Sequence, residues 1–222
     1  MEITIKPTYR CNFSCDYCYI HEVHARQSLP EDDTRSILAA ASERADDGHV
    51  LVKWHGGEPT LMGVAYYASM FAFQGSLPSR FENAIFTNLG SLRDPLLQLI
   101  RDYDVHIFTS LDTVVPGHDG QRGGKNQRVM ANLLRLKNAG HHRVTVKSTV
   151  TSSNVADLQA TYDFFRELPF EWNFAPVFPA DKGKDHVLNV LPDPAIFVTQ
   201  TKAIFDHWWW TGQPGILLFE QV

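Results

Sequence analysis

Only three of the 222 residues are cysteine, Cys11, Cys15 and Cys18, so no further thiol remains to build a disulfide framework. An unpaired trio argues against an oxidising compartment and for the cytoplasm. No apolar run approaches the ~20 residues that cross a bilayer, which excludes a membrane-spanning helix, and no membrane partner is expected. No signal peptide precedes the alternation that starts after Met1. Basic residues are also in short supply, 20 against 25 acids for a net charge of −5, so there is no electrostatic footprint for nucleic acid. What remains, at 44% hydrophobic residues, is one globular domain or one domain with a short extension.

Short strand-like runs alternate with amphipathic stretches along the whole chain, the pattern of repeated βα units on a parallel sheet. The runs are Glu2 to Lys6, Val50 to His55, Asn83 to Asn88, Val105 to Leu111, Arg143 to Thr151 and Glu171 to Pro176. Six strands are too few for the eight-stranded closed barrel, and the chain is shorter than that fold's typical ~250 residues. The expected class is therefore α/β, an open partial (βα)6 barrel.

Helix boundaries are marked by Pro30 followed by Glu31, Asp32 and Asp33, by Asp94-Pro95 and by Asp193-Pro194, with Gly48 and Gly140 as stops. Asn154 and Asp157 have capping-box spacing. Val129, Leu133 and Leu136 form a helical core stripe, and Trp208, Trp209 and Trp210 are expected to pack as core, with the lining of a peptide groove as the alternative. Strand parity separates apolar positions, such as Val144, Val146 and Val150, from polar ones, such as Thr145, Lys147 and Thr149. With helices over the apolar faces, the polar set is left for water, a polar ligand or an internal hydrogen-bond network.

Three thiols spaced x3 and x2 on a tight loop can converge on one metal centre. Cys11, Cys15 and Cys18 with one histidine, His21 or His24, would also suit a Cys3His zinc tetrahedron, giving a zinc-stabilised binding scaffold as one reading. In the other, a cube held by three cysteines keeps one iron open to an outside ligand. His55-Gly56-Gly57-Glu58-Pro59 follows the second strand, at the end where this architecture places active sites. Its glycines permit close backbone approach to a ligand, and Glu58 can accept hydrogen bonds from an ammonium group. Ser110 and Asp112 end the fourth strand, with Arg122 beyond. A cap and a solvated ion pair would also explain Ser110 and Arg122.

Cys-x3-Cys-x2-Cys with the aromatic Tyr17 before the third cysteine resembles the radical S-adenosylmethionine enzymes. Gly56-Gly57-Glu58-Pro59, Thr87-Asn88, Ser110-x-Asp112 and Arg122 are similar to the peptide-modifying and anaerobic sulfatase-maturing branch. Phe86 departs from it, standing where a polar residue is expected. The resemblance implies a [4Fe-4S] cluster on Cys11, Cys15 and Cys18, whose open iron binds S-adenosylmethionine. Reductive cleavage then gives methionine and a 5′-deoxyadenosyl radical that removes hydrogen from a substrate. It further implies that the Gly56 to Pro59 turn receives the methionyl amino group, and that Ser110 and Arg122 contact the ribose and carboxylate. Tyr17, Asn88 and Asp112 join them around the cosubstrate, and Ala175-Pro176-Val177 could lend backbone groups to the adenine. An electron donor such as flavodoxin or ferredoxin and a peptide substrate are implied, with a small molecule such as a sugar or nucleoside as the alternative.

The domain expectation is a partial barrel over 1–212 and a short extension over 213–222, where the auxiliary-cluster region of such enzymes would begin. Three cysteines leave no auxiliary cluster ligated by thiolate, which favours a redox-neutral outcome or return of the electron to the single cluster. Tyr9, His21, His24, Lys147, Asn173 and Asp181 are candidates for handling substrate.

Overall fold

The computed structural model describes residues 1–18, 28–178 and 187–220. In chain order it contains β1 (Glu2–Thr8), α1 (Glu31–Arg44), β2 (His49–Gly56), α2 (Val64–Gln74), β3 (Arg80–Phe86), α3 (Asp94–Asp102), β4 (His106–Ser110), α4 (Asn126–Asn138), β5 (Val144–Val150), α5 (Leu158–Arg166), β6 (Glu171–Pro176), α6 (Pro194–Thr211) and the short α7 (Leu217–Glu220). The six strands form one open sheet in the order β1 to β6, with parallel pairing of β1 to β2, β2 to β3, β3 to β4 and β5 to β6. Among the described residues no helix is long and apolar enough to cross a membrane.

The chain divides into two compact units, one of Met1–Asn12 and Ile20–Phe108, the other of Phe13–Tyr19 and Thr109–Val222. In the first unit the period-two pattern of β2 decides which side the helices cover. Val50, Val52 and Trp54 are fully buried, and the Trp54 ring meets Tyr66, Tyr67 and Phe71 of α2 at centroid distances of 6.2, 5.5 and 6.2 Å. The indole N–H donates to Asn83 Oδ1 at 2.8 Å, so this buried polar atom costs nothing unpaired. Lys53 and His55 alternate with these residues and stay half-buried on the opposite face.

The second unit repeats the device. Val144, Val146 and Val150 are buried on β5, and the buried Trp172 of β6 stacks on Phe165 of α5 at 5.7 Å. Its indole N–H donates to Ser148 Oγ at 2.9 Å, and that hydroxyl donates to the Leu111 carbonyl. Val129, Leu133 and Leu136 bury one stripe of α4, as their spacing predicts.

Several boundary expectations shift. Pro30 is the N-cap of α1 rather than its first residue, and Asp94 is the first residue of α3, with Arg93 at the cap. Asp193 does cap α6, accepting from Ala195 N–H and Ile196 N–H at 2.8 and 3.1 Å. No capping box forms at Asn154, whose amide serves other partners described below. The tryptophan run is not core: Trp208 is half-buried against Phe219, while Trp210 is 85% exposed and Trp209 is exposed beside it. Three consecutive helical residues point in directions 100° apart, so one face cannot bury all of them.

Candidate active site

In the first unit the site is built where β1 and β2 end side by side. Gly57 N–H donates to the Thr8 carbonyl at 2.9 Å and Glu58 N–H to the Arg10 carbonyl at 2.7 Å, lacing the two strand exits together. A Cβ on Gly57 would stand 2.3 Å from the Arg10 carbonyl oxygen, and one on Gly56, at φ +118°, 2.3 Å from that of Thr8. The glycines thus make room for neighbouring backbone, where the sequence pointed to a ligand.

Glu58 is 1% exposed and its carboxylate is held by the chain itself. One oxygen accepts from Thr60 N–H at 3.0 Å, the Thr60 hydroxyl at 2.5 Å and the Thr87 hydroxyl at 2.8 Å; the other accepts from Asn88 N–H at 2.6 Å. Three donors crowd one oxygen, while the other, with a single donor, keeps acceptor capacity. Burial pushes its pKa up, and these donors pull it back. The side chain is accordingly a brace between β2 and the end of β3.

Asn88 extends the brace. Its side-chain amide donates to Asn12 Oδ1 at 2.7 Å and lies 3.7 Å from Cys11 Sγ, while its Oδ1 accepts from Gly90 N–H at 2.8 Å. The turn is held by Leu89, at φ 52°, whose N–H donates to the Thr87 hydroxyl at 3.0 Å. Glu58 and the first cysteine are therefore linked through one asparagine.

In the second unit the Phe13–Cys18 loop is fastened to the segment after β4. Asp16 N–H donates to the Gln121 carbonyl at 2.9 Å, and the Tyr17 hydroxyl donates to Asp112 at 2.6 Å. Arg122, only 3% exposed, lies with one terminal nitrogen 3.3 Å from the Tyr17 hydroxyl and 4.0 Å from Asp112, and its guanidinium sits 5.5 Å from the Phe13 ring centroid. Its Nε is buried without a hydrogen-bond partner among the described residues.

Asp112 also accepts from Gln121 Nε2 at 3.2 Å and Thr149 N–H at 3.0 Å. Burial pushes the Asp112 carboxyl up, against the opposing pull of Arg122 and these donors. Burial, then the nearby Asp112 charge, raises the Tyr17 phenol well above its ordinary value and keeps it neutral. Burial pulls Arg122 down, but Tyr17 and Asp112 outweigh it, so the guanidinium stays charged.

Two features of this unit are not evident from motif spacing. Asn154 donates to the Asp112 and Thr149 carbonyls at 3.1 and 2.9 Å and accepts from Thr151 N–H at 2.7 Å, so it sets the loop that holds Asp112. Asp157, its supposed capping partner, instead holds His118 at 2.9 Å and the Thr113 hydroxyl at 2.8 Å. The signal for both was two polar residues after β5, which a helix start explains equally well.

Ser110 is half-buried at the end of β4, Tyr9 and Asn173 are half-buried, and Lys147 is exposed. His21, His24 and Asp181 lie outside the described residues. Among the described residues the three cysteines form no disulfide, with Cys11 and Cys18 exposed and Cys15 half-buried. Among the described residues no three His, Cys, Asp or Glu side chains are grouped around a single ion position. Cysteine thiolates are the right donors for an iron–sulfur cube, which takes each on a different iron and so does not need them around one ion.

The chain matches the Radical SAM superfamily over residues 5–165. It is 30% identical over 180 residues to an uncharacterised protein of Synechocystis, covering 74% of this chain and 44% of that one. It is 21% identical to the cysteine-type anaerobic sulfatase-maturating enzyme of Clostridium novyi, covering 94% of this chain and 59% of the enzyme. A solved structure of native anSMEcpe with bound AdoMet and Kp18Cys peptide superposes with a TM-score of 0.85 at 22% identity, covering 99% of this chain and 64% of that chain. The chain thus spans about half the length of these curated relatives, and the solved structure shares its fold. On the match across residues 5–165, the chain belongs to the radical SAM superfamily, whose members use a [4Fe-4S] cluster and S-adenosylmethionine.

Proposed function

We propose that this chain is a radical S-adenosylmethionine enzyme acting on a peptide in the cytoplasm, with an electron donor of the flavodoxin or ferredoxin kind. Cys11, Cys15 and Cys18 would hold the [4Fe-4S] cluster. When bound, the cluster and its cosubstrate supply reductive cleavage of a sulfonium and hydrogen abstraction from the substrate.

The observation that carries this reading is the Nε of Arg122, which has no partner among the described residues and is buried beside the loop that bears Cys15 and Cys18. A buried guanidinium with a free donor is matched by a carboxylate, and the cosubstrate has one. Asp112 and Tyr17 fix the guanidinium on its other side, so its free edge is held ready. Glu58 holds the Gly56-Gly57 turn through Thr87 and Asn88, leaving carbonyl groups of the turn to receive the cosubstrate amino group. The peptide substrate rests on the relatives, among them the sulfatase-maturating enzyme and the structure containing a Kp18Cys peptide.

Anaerobic reconstitution tests the proposal. About four irons and four sulfides per chain are expected, together with 5′-deoxyadenosine after reduction in the presence of S-adenosylmethionine. Arg122→Ala should raise the Kd for S-adenosylmethionine about tenfold or more, the scale of a lost charged hydrogen bond. A colourless protein with stoichiometric zinc overturns the assignment.

A further inference from the structure

The face of β2, β3 and β4 opposite the α2 helix carries four rings in an unbroken row. His55 lies 5.0 Å from Phe86, Phe86 lies 4.6 Å from Phe108 with planes 5° apart, and His106 lies 4.2 Å from Phe108. All four are half-buried, whereas Trp54, Ile85 and Ile107 between them are fully buried on the helix side. A row of packed core would show no such exposure.

The orientation of the rings follows from their spacing. Neighbouring strands are about 4.8 Å apart, and the parallel Phe86 and Phe108 rings repeat nearly that distance. Rings stacked across strands in this way stand upright on the sheet and turn their C–H edges outward. Those edges carry the positive end of the ring quadrupole, which complements the negative face of another aromatic ring.

One end of the row has a polar handle. His55 Nδ1 accepts the Gly56 N–H at 2.7 Å, so the neutral imidazole carries its proton on Nε2 as a donor. Burial, then the Lys6 charge, lowers the His55 pKa and favours that neutral form. The histidine immediately precedes the Gly56-Gly57-Glu58 turn, so the row is continuous with the site assigned above.

We infer that this row is the substrate-recognition wall and that it receives an aromatic side chain of the peptide, laid face-on across the Phe86 and Phe108 edges. His55 Nε2 donates a hydrogen bond to the same residue or to its backbone. This rests on the peptide reading of the site. It also gives Phe86, the departure from the expected polar residue, a purpose of its own.

The test uses reconstituted protein with the cluster oxidised and S-adenosylmethionine present, and the peptides Gly-Gly-X-Gly-Gly, blocked at both ends, with X as Phe, Tyr, Trp, Leu or Ser. Saturation-transfer NMR titrations of the wild type should give the aromatic peptides a Kd about threefold to tenfold below that of the Leu peptide, the scale of edge-to-face contacts beyond area alone. Phe86→Leu with Phe108→Leu, which keeps apolar volume, should erase that preference. Equal affinities for Phe and Leu peptides overturn the inference. So does a double variant whose main loss is in S-adenosylmethionine affinity, since the rings would then serve the cosubstrate. 5′-Deoxyadenosine formed by the wild type without peptide keeps the two proposals apart, because its presence leaves the enzyme assignment standing when the peptide preference fails.

Discussion

At the scale of single residues, Glu58 and Arg122 are opposite cases of a buried charge. Glu58 meets four donors from its own chain, whereas Arg122 keeps a donor in reserve. Replacing Glu58 with Gln keeps the shape but turns one acceptor into a donor that faces Asn88 N–H or the threonine hydroxyls. A buried donor left unpaired costs about 1–3 kcal/mol. Glu58→Gln should therefore lower the unfolding free energy by that amount in urea titrations, and a change near zero would refute the brace. Asp112→Ala should cost about 3 kcal/mol or more, because it strands the buried Arg122 charge. Asp112→Asn, which retains an acceptor, should cost less in the same titration.

At the scale of elements, the strand ends are placed by backbone contacts that the sequence signals only as small residues. Gly57→Ala would push its Cβ into the Arg10 and Tyr9 carbonyl oxygens, 2.3 and 2.5 Å away, and neither can rotate aside. A loss of about 1–3 kcal/mol is expected, as for overpacking generally. Gly120→Ala has open space at its Cβ and should stay within about 0.5 kcal/mol of wild type in parallel denaturation curves. Equal effects at the two sites would show that close approach is not what Gly57 provides.

The strands and their parity were legible because a period of two is written in consecutive residues, as Val50, Val52 and Trp54 against Lys53 and His55 make plain. The Asp112, Tyr17 and Asn154 network was not, because its members meet only after the loops fold, and each has an adequate local reading on its own. Tyr17 looks like a motif aromatic and Asn154 looks like a cap. The tryptophan run misled for the reverse reason, since hydrophobicity alone does not say whether a helix has a neighbour on each side.

At the scale of the whole molecule, the buried ionisable groups set two opposing trends with pH. Burial raises the pKa of Glu58 and Asp112, so the folded form binds their protons more tightly than the unfolded chain. Their contribution to stability is full below the ordinary carboxylate range and is lost as pH rises through the raised values. His55 runs the other way: burial and Lys6 lower its pKa, so its contribution is present above the ordinary histidine value and is lost as pH falls through the lowered one. Melting temperatures measured across pH should show both slopes. Asp112→Asn should flatten the decline that starts just above the ordinary carboxylate pKa, and His55→Asn should flatten the decline on acidification below the ordinary histidine pKa, each leaving the other slope in place. If His55→Asn leaves the acid slope of the wild type intact, the imidazole is not held neutral by burial and the Lys6 charge, and the donor assigned to its Nε2 falls with it.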